Sequence, residues 1–335
     1  MAKRLGRRTI ALDPPVYLSA HAAIVGQKEG EGPLQGTFDL VSGDTHFGQK
    51  TWELAEANMQ RIAIETAAGK AGLSVADFDM ILAGDLLNQC IGSSLASVRS
   101  NVPFVGLYGA CSTMAEGLAV GSCLMNSGAA RCLCAAASSH FCSAERQYRF
   151  PLAYGGQRTP TAQWTATAAG AAVLTDQKTP VRVTHVVFGQ IVDMDVTDAN
   201  NMGAAMAPAA YDTLSHLFED TNTQPSDYDR ILTGDLARVG SRLLRDLFAR
   251  DQIDLGQPYD DCGVLLYGSA QDVHAGGSGC GCSAAVLCGD ILDRMERGAL
   301  HRVIFAGTGA LMSPTSVQQG QGIGGICHAV ILEGA

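Results

Sequence analysis

The sequence predicts an α/β protein of stacked helices and sheets, assembled from two related halves. Three observations carry that expectation. The string DFDMILAGDL at 77–86 returns as DYDRILTGDL at 227–236, with seven of ten positions identical and an offset of 150 residues. A second pairing follows it: Cys111 opens a helical stretch to Ser127 before the strand-like RCLCAAA at 131–137, and Cys282 opens one to Gly298 before RVIFAG at 302–307, both steps being 171 residues. Composition agrees, with 47% hydrophobic residues, 17% charged and 39 glycines, and with small-residue runs at 128–139 and 165–174 that suit close packing in several layers.

Each element has a local reason. Thr51 precedes an apolar-periodic stretch and predicts a capped helix over 51–71, with Trp52, Leu54, Ala55 and Ile62 on one face. The two copies of the repeat read as short buried strands that end in Gly-Asp at their carboxyl ends, and a helix over 238–250 follows the second. The segments 140–156 and 190–212 show no clean period and read as loops. The growth of the offset from 150 to 171 places 21 additional residues around 260–277 of the second half, expected to form a loop over the site. The halves divide as 1–178 and 179–335, with Pro180 near the joint.

A net charge of −10 with no basic stripe argues against nucleic acid as a partner. The terminal basic cluster Lys3, Arg4, Arg7 and Arg8 reads as a flexible charged end, with contact to an anionic membrane surface as the alternative. Asp13-Pro14-Pro15 interrupts any export signal, and no apolar run is long enough to span a bilayer. Eleven cysteines without a CxxC pair point to free thiols in a reducing compartment rather than to disulfides or a zinc site. Nothing calls for a cofactor.

The chemistry concentrates at strand ends. Cys111 lies where an apolar strand turns into a helix, so the helix dipole and unpaired N–H groups favour its thiolate; a small buried hydrophobe is the other reading. Asp85 and Asp235 hold equivalent strand-end positions, either as helix caps or as a pair that the pseudo-twofold brings together, where a carboxylate could accept a hydrogen bond, hold a cation or act as a base. Ser139, His140, Arg146 and Arg149 follow the 131–137 strand and make an anion site plausible on chemical grounds, as does Lys28 on a Gly-rich loop; solvated or structural ion pairs are the alternative. Phe104, Tyr108, Phe141 and Tyr148 supply apolar walls.

The cysteine at a strand–helix turn, the doubled halves and the terminal Gly-rich segment resemble the thiolase superfamily along essentially the whole chain. The resemblance implies a five-layer αβαβα fold and places the acyl-accepting nucleophile at Cys111. Condensing members of the β-ketoacyl synthase III type carry Pro-His-Gln-Ala-Asn where this chain has Gly234-Asp235-Leu236-Ala237-Arg238. They carry Gly-Asn-Thr-Ser-Ala-Ala where it has Cys280-Gly281-Cys282-Ser283-Ala284-Ala285, and the thiolase Cys-x-Gly appears as Gly307-Thr308-Gly309. Asp235 and Gly281 thus replace the histidine and asparagine. General acid–base help is worth about 10²–10⁴-fold and an oxyanion donor about 10²–10³-fold, so a condensing enzyme is not expected.

The strings GDLLNQ, GACST, SSH with AERQYR, MGAAMAPAA, AGGSGC and GALMSPT resemble, more narrowly, the stage V sporulation protein AD family of endospore-forming bacteria. That resemblance implies a non-catalytic protein that binds dipicolinate, alone or as its calcium chelate, for uptake into the spore; beside such a dianion, Asp85 and Asp235 call for a bridging Ca²⁺ or for one of them to be protonated. It implies membrane-embedded partners encoded in the same sporulation operon, a location at the inner spore membrane without a span of its own, and by analogy a homodimer. The competing expectations are a Cys111-dependent acyltransferase and a scaffold without a ligand.

Overall fold

The computed structural model describes residues 2–148 and 158–334. Its strands are β1 (Lys3–Leu5), β2 (Thr9–Gly26), β3 (Leu40–Ser42), β4 (Met80–Gly84), β5 (Phe104–Gly106), β6 (Cys132–Ser139), β7 (Trp164–Thr165), β8 (Ala168–Thr175), β9 (Val181–Val187), β10 (Arg230–Thr233), β11 (Tyr259–Asp261), β12 (Gly277–Ser278), β13 (Arg302–Leu311) and β14 (Gly324–Glu333). The main sheet runs β11-β10-β13-β14-β9-β2-β8-β6-β4-β5. Read outward from its centre, one arm is β2-β8-β6-β4-β5 and the other β9-β14-β13-β10-β11, so each strand of the first arm has a counterpart in the second. The Gly-Asp repeat occupies the β4 and β10 counterparts. The two arms meet where β2 pairs antiparallel with β9.

Helices fill the layers between and outside the arms. Thr113–Asn126 and Cys280–Val286 share one core with β2, β6, β8 and β13. Helix Trp52–Lys70 packs on the outer face of the first arm, and Met202–Thr221 with Ala237–Arg250 on that of the second. This is the five-layer αβαβα arrangement. Close approach in the middle layer needs small residues: a Cβ on Gly170 would lie 2.6 Å from the Ala284 carbonyl oxygen.

Several expectations change. Thr51 does cap its helix, accepting from Leu54 N at 3.3 Å, but Leu54 is exposed and the buried face carries Glu56 and Gln60 among alanines. Residues 202–212 are helical, not a loop. Pro208 forfeits one intrahelical hydrogen bond, and the small inward residues Gly203, Ala205, Ala207 and Ala209 let this helix approach its neighbour. Phe141–Tyr148 is likewise a helix. The 260–277 segment is not a free loop over the site: Cys262, Leu266 and Tyr267 are buried, Tyr267 donates to Glu29 at 2.5 Å, and Gln271 donates to the Lys28 carbonyl at 2.5 Å. The basic start of the chain is tied down as well. Arg7, Arg8 and Thr9 donate their backbone N–H groups to Asp220, and Arg8 pairs with Asp212.

Candidate functional site

Cys111 sits in the turn Ala110–Ser112 that leads into helix Thr113–Asn126, after Ala110 takes a left-handed conformation at φ +49°. The end of β13 holds this turn from behind. A Cβ on Gly309 would lie 2.3 Å from the Gly109 carbonyl oxygen, so glycine is required where the strand passes the turn.

The thiol faces second-half residues. Its sulfur lies 3.9 Å from Ser278 Oγ, and the Asp235 carboxylate is its acidic neighbour. That carboxylate accepts from Ser278 Oγ at 3.0 Å, Gly279 N at 2.9 Å and Thr308 Oγ1 at 2.9 Å. Burial pushes the Cys111 thiol well above its ordinary value, and the Asp235 charge pushes it further. The expected thiolate is therefore not favoured: desolvation and a neighbouring anion outweigh the helix dipole. Burial also raises Asp235 itself, although three donors converge on it. We expect iodoacetamide at pH 7.5 to modify Cys132, Cys123 or Cys142 before Cys111 in the native protein; peptide mapping that finds Cys111 alkylated first contradicts this.

A narrow pocket of about 40 Å³, room for a few water molecules, opens onto the thiol. Leu86, Ala110, Tyr148, Met202, Ala310 and Met312 form its apolar wall, and Glu145, Thr165 and Ser278 its polar one. Thr165 Oγ1 donates to Glu145 at 3.3 Å, and Tyr148 OH donates to the Leu86 carbonyl at 2.8 Å. Ser278, Thr165, Met202 and Met312 escaped sequence reasoning because they come from distant segments. Four of the lining residues had a local signal, lying inside quoted strings: Glu145 in AERQYR, Met202 in MGAAMAPAA, Ser278 in AGGSGC and Met312 in GALMSPT.

The other expected residues divide. Asp85 accepts from Leu87 N at 2.8 Å and from Ser93 N and Oγ at 2.7 and 2.6 Å, and its acidic neighbour is Glu56. The two aspartates share no hydrogen-bond partner. Ser139 donates to the Ala166 carbonyl at 2.7 Å and accepts from Gly281 N at 3.2 Å, a structural tie between the halves. His140 is neutral by its bonding: Nε2–H donates to the Thr45 carbonyl at 2.8 Å, and Nδ1 accepts from Cys142 N at 3.1 Å. Burial lowers its pKa. Arg146 makes an ion pair with Glu53 at the surface. Lys28 lies 3.8 Å over the Trp164 ring, away from the pocket lining, and Phe141 stacks on the same ring at 3.9 Å. Arg149 lies outside the described residues. Gly281 does not face the thiol either; it packs on Ala168 and Ser139, and Ser278 occupies the place beside Cys111.

The architecture is the thiolase fold. The 3-oxoacyl-[acyl-carrier-protein] synthase III of Aquifex aeolicus matches 95% of this chain and 99% of its own at TM-score 0.61 and 13% identity. The Acat5 thiolase of Ascaris suum, solved with coenzyme A, matches 96% and 100% at TM-score 0.59 and 10% identity. Sequence relationships are narrower. The family model for stage V sporulation protein AD matches residues 6–333, and the Bacillus subtilis protein of that name is 42% identical over 333 residues, 99% of this chain and 98% of its own. The chain belongs to the stage V sporulation protein AD family.

Proposed function

We propose that this chain is a non-catalytic thiolase-fold protein that holds dipicolinate, as its calcium chelate, in the Cys111 pocket. The observation that carries the non-catalytic part is the state of Asp235. Where condensing relatives place a histidine, a buried carboxylate is already engaged by Ser278, Gly279 and Thr308. A carboxylate engaged by three donors is a poor acceptor for the proton of a thiol whose own pKa is pushed well up, and its charge opposes an enolate.

The ligand argument is one of wall chemistry and charge. A flat pyridine ring suits the wall of Leu86, Tyr148, Met202 and Met312, and the two flexible methionines would have to repack to widen a pocket of about 40 Å³ for it. Behind the lining, the Asp235 carboxylate sits beside Cys111 and Ser278. A dianion is poorly matched to it, whereas chelation by Ca²⁺ neutralises the ligand before it enters. Family membership supports the wider setting: membrane-embedded stage V sporulation A proteins as partners and the spore's inner membrane as location. No helix among the described residues is long and apolar enough to cross a membrane.

Calorimetric titration of dipicolinate with and without Ca²⁺ tests the reading. We expect affinity at least about 10-fold tighter with Ca²⁺, which corresponds to about 1.4 kcal/mol. Equal affinities would remove the chelate, and no binding in either arm would remove the ligand. The second reading, an acyltransferase, rests on the cysteine at the turn. Incubation with acyl-CoA followed by intact-mass analysis separates the two, because an acyl adduct on Cys111 belongs only to the enzyme.

A further inference from the structure

Outside the pocket lining, three potential metal ligands converge. His21 on β2, which pairs there with Ala172 of β8, is only 4% exposed. Its Nδ1–H donates to the Cys288 carbonyl at 2.5 Å, so the Nε2 lone pair is fixed and points outward from the core. Nε2 faces Asp293 Oδ1 at 3.6 Å and Glu296 Oε1 at 3.4 Å. The two carboxylates stand three residues apart on helix Leu292–Glu296, and the three ligand atoms lie within 4.8 Å of one another.

These separations are long for direct hydrogen bonds but match another geometry. Ligands at about 2.0–2.1 Å from a tetrahedral Zn²⁺ lie roughly 3.3–3.4 Å apart. A histidine whose second nitrogen donates to a backbone carbonyl is the usual outer-shell arrangement of a metal-binding imidazole. The local backbone is arranged for it as well. Leu287–Ile291 is a π-helical turn, and its Cys288 carbonyl is the acceptor of the His21 N–H. Both carboxylates are part-exposed, at 42% and 38%, so they can close on an ion without core rearrangement. The nearby cations leave the ligand atoms available: Arg297 approaches Asp293 Oδ2, the other oxygen, at 3.8 Å, and Lys70 is held by Asp39 at 2.7 Å and by the His21 carbonyl at 2.9 Å.

We propose that His21, Asp293 and Glu296 form a binding site for a divalent transition ion of the Zn²⁺ class, with a fourth position open to water. The ligand set is nitrogen and oxygen, as such ions accept, and the site is separate from the cysteine pocket. Bound there, the ion joins a first-half strand to a second-half helix and stabilises the fold by linkage.

The test uses the full chain, with Co²⁺ as a spectroscopic probe and Zn²⁺ for melting, because eleven free thiols could also take metal. The expected result is about one Co²⁺ per chain with weak visible bands of nitrogen–oxygen ligation, and a melting temperature that rises with Zn²⁺. Asp293→Asn/Glu296→Gln, which alters part-exposed carboxylates and is checked by circular dichroism, should weaken binding at least about 10-fold and abolish the rise. Failure of the wild type to bind, equal binding by the double variant, or a spectrum of intense thiolate charge-transfer bands would each overturn the proposal.

Discussion

At pH 8.5 the Glu56→Gln protein should be more stable than the wild type, by a few kcal/mol, and its stability should vary less between pH 5 and 8. Glu56 is fully buried on the inner face of helix Trp52–Lys70, where burial first and the Asp85 carboxylate second push its pKa from an ordinary 4.5 to about 8. Ser143 Oγ donates to it at 2.7 Å and Ser138 Oγ at 3.2 Å, which offsets only part of that cost. The unfolded chain releases this proton near its ordinary pKa, and the folded chain keeps it up to about 8. Between those values the native state binds more protons, so its stability is complete below the lower one and falls as pH rises through the upper one. Each unit is worth about 1.4 kcal/mol, which sets the scale of the gain before the pair shares its burden. Glutamine supplies a neutral side chain of the same length that cannot ionise. Asp261, raised to about 7 by burial, leaves a residual slope in both proteins. Urea titrations at pH 5, 7 and 8.5 check this, and parallel curves for the two proteins would refute it.

The second large effect is steric. Gly281→Ala should cost well over 3 kcal/mol and leave little folded protein at 37 °C. An added Cβ would stand 2.1 Å from the Ala168 carbonyl oxygen, 2.7 Å from Ser139 Oγ and 2.8 Å from Ser139 N. Two of those atoms are backbone of β8 and β6, inside the close-packed middle layer, and overpacking of this kind has no flexible side chain to absorb it. Gly69→Ala is the control: its Cβ meets nothing within 4 Å, so stability should hold or rise slightly. Comparable melting temperatures for both variants would mean that the middle layer is looser than described. The same geometry bears on re-engineering. An asparagine at position 281 cannot be restored by one substitution, because its side chain would enter β8 rather than the site.

Much of the architecture was legible because a duplicated fold writes its strands twice. The 77–86 and 227–236 strings located β4 and β10, and the cysteine-led helices located the middle layer. Helix Met202–Thr221 was hidden because its inward face is built from glycine and alanine around Pro208, which carries little periodic contrast. The polar face of Glu56 and Gln60 misled in the opposite direction, since Gln60 bonds Gly84 O, Ser93 and Ser138 inside the core. At the site, Cys111 and Asp235 could be found because each ends a strand or opens a helix. Their meeting with Ser278 depends on how the halves dock, which no local pattern encodes. His140 and Ser139 looked functional because polar groups after a strand often are, yet backbone partners claim their donors and acceptors.

The junction of β2 with β9 has a consequence for how the protein comes into being. Thr9–Ala11 and Val16–Leu18 pair with residues 181–187, and Asp220 anchors the N–H groups of 7–9. At translation rates of about 5–20 residues per second, the first strand leaves the ribosome on the order of ten seconds or more before its neighbour exists. During that interval one long edge of the first half is bare, an open template for any other extended chain. A truncated product ending near residue 178 should therefore aggregate or recruit chaperones rather than persist as a free domain, and the duplicated halves, despite their common plan, mature as one cooperative unit.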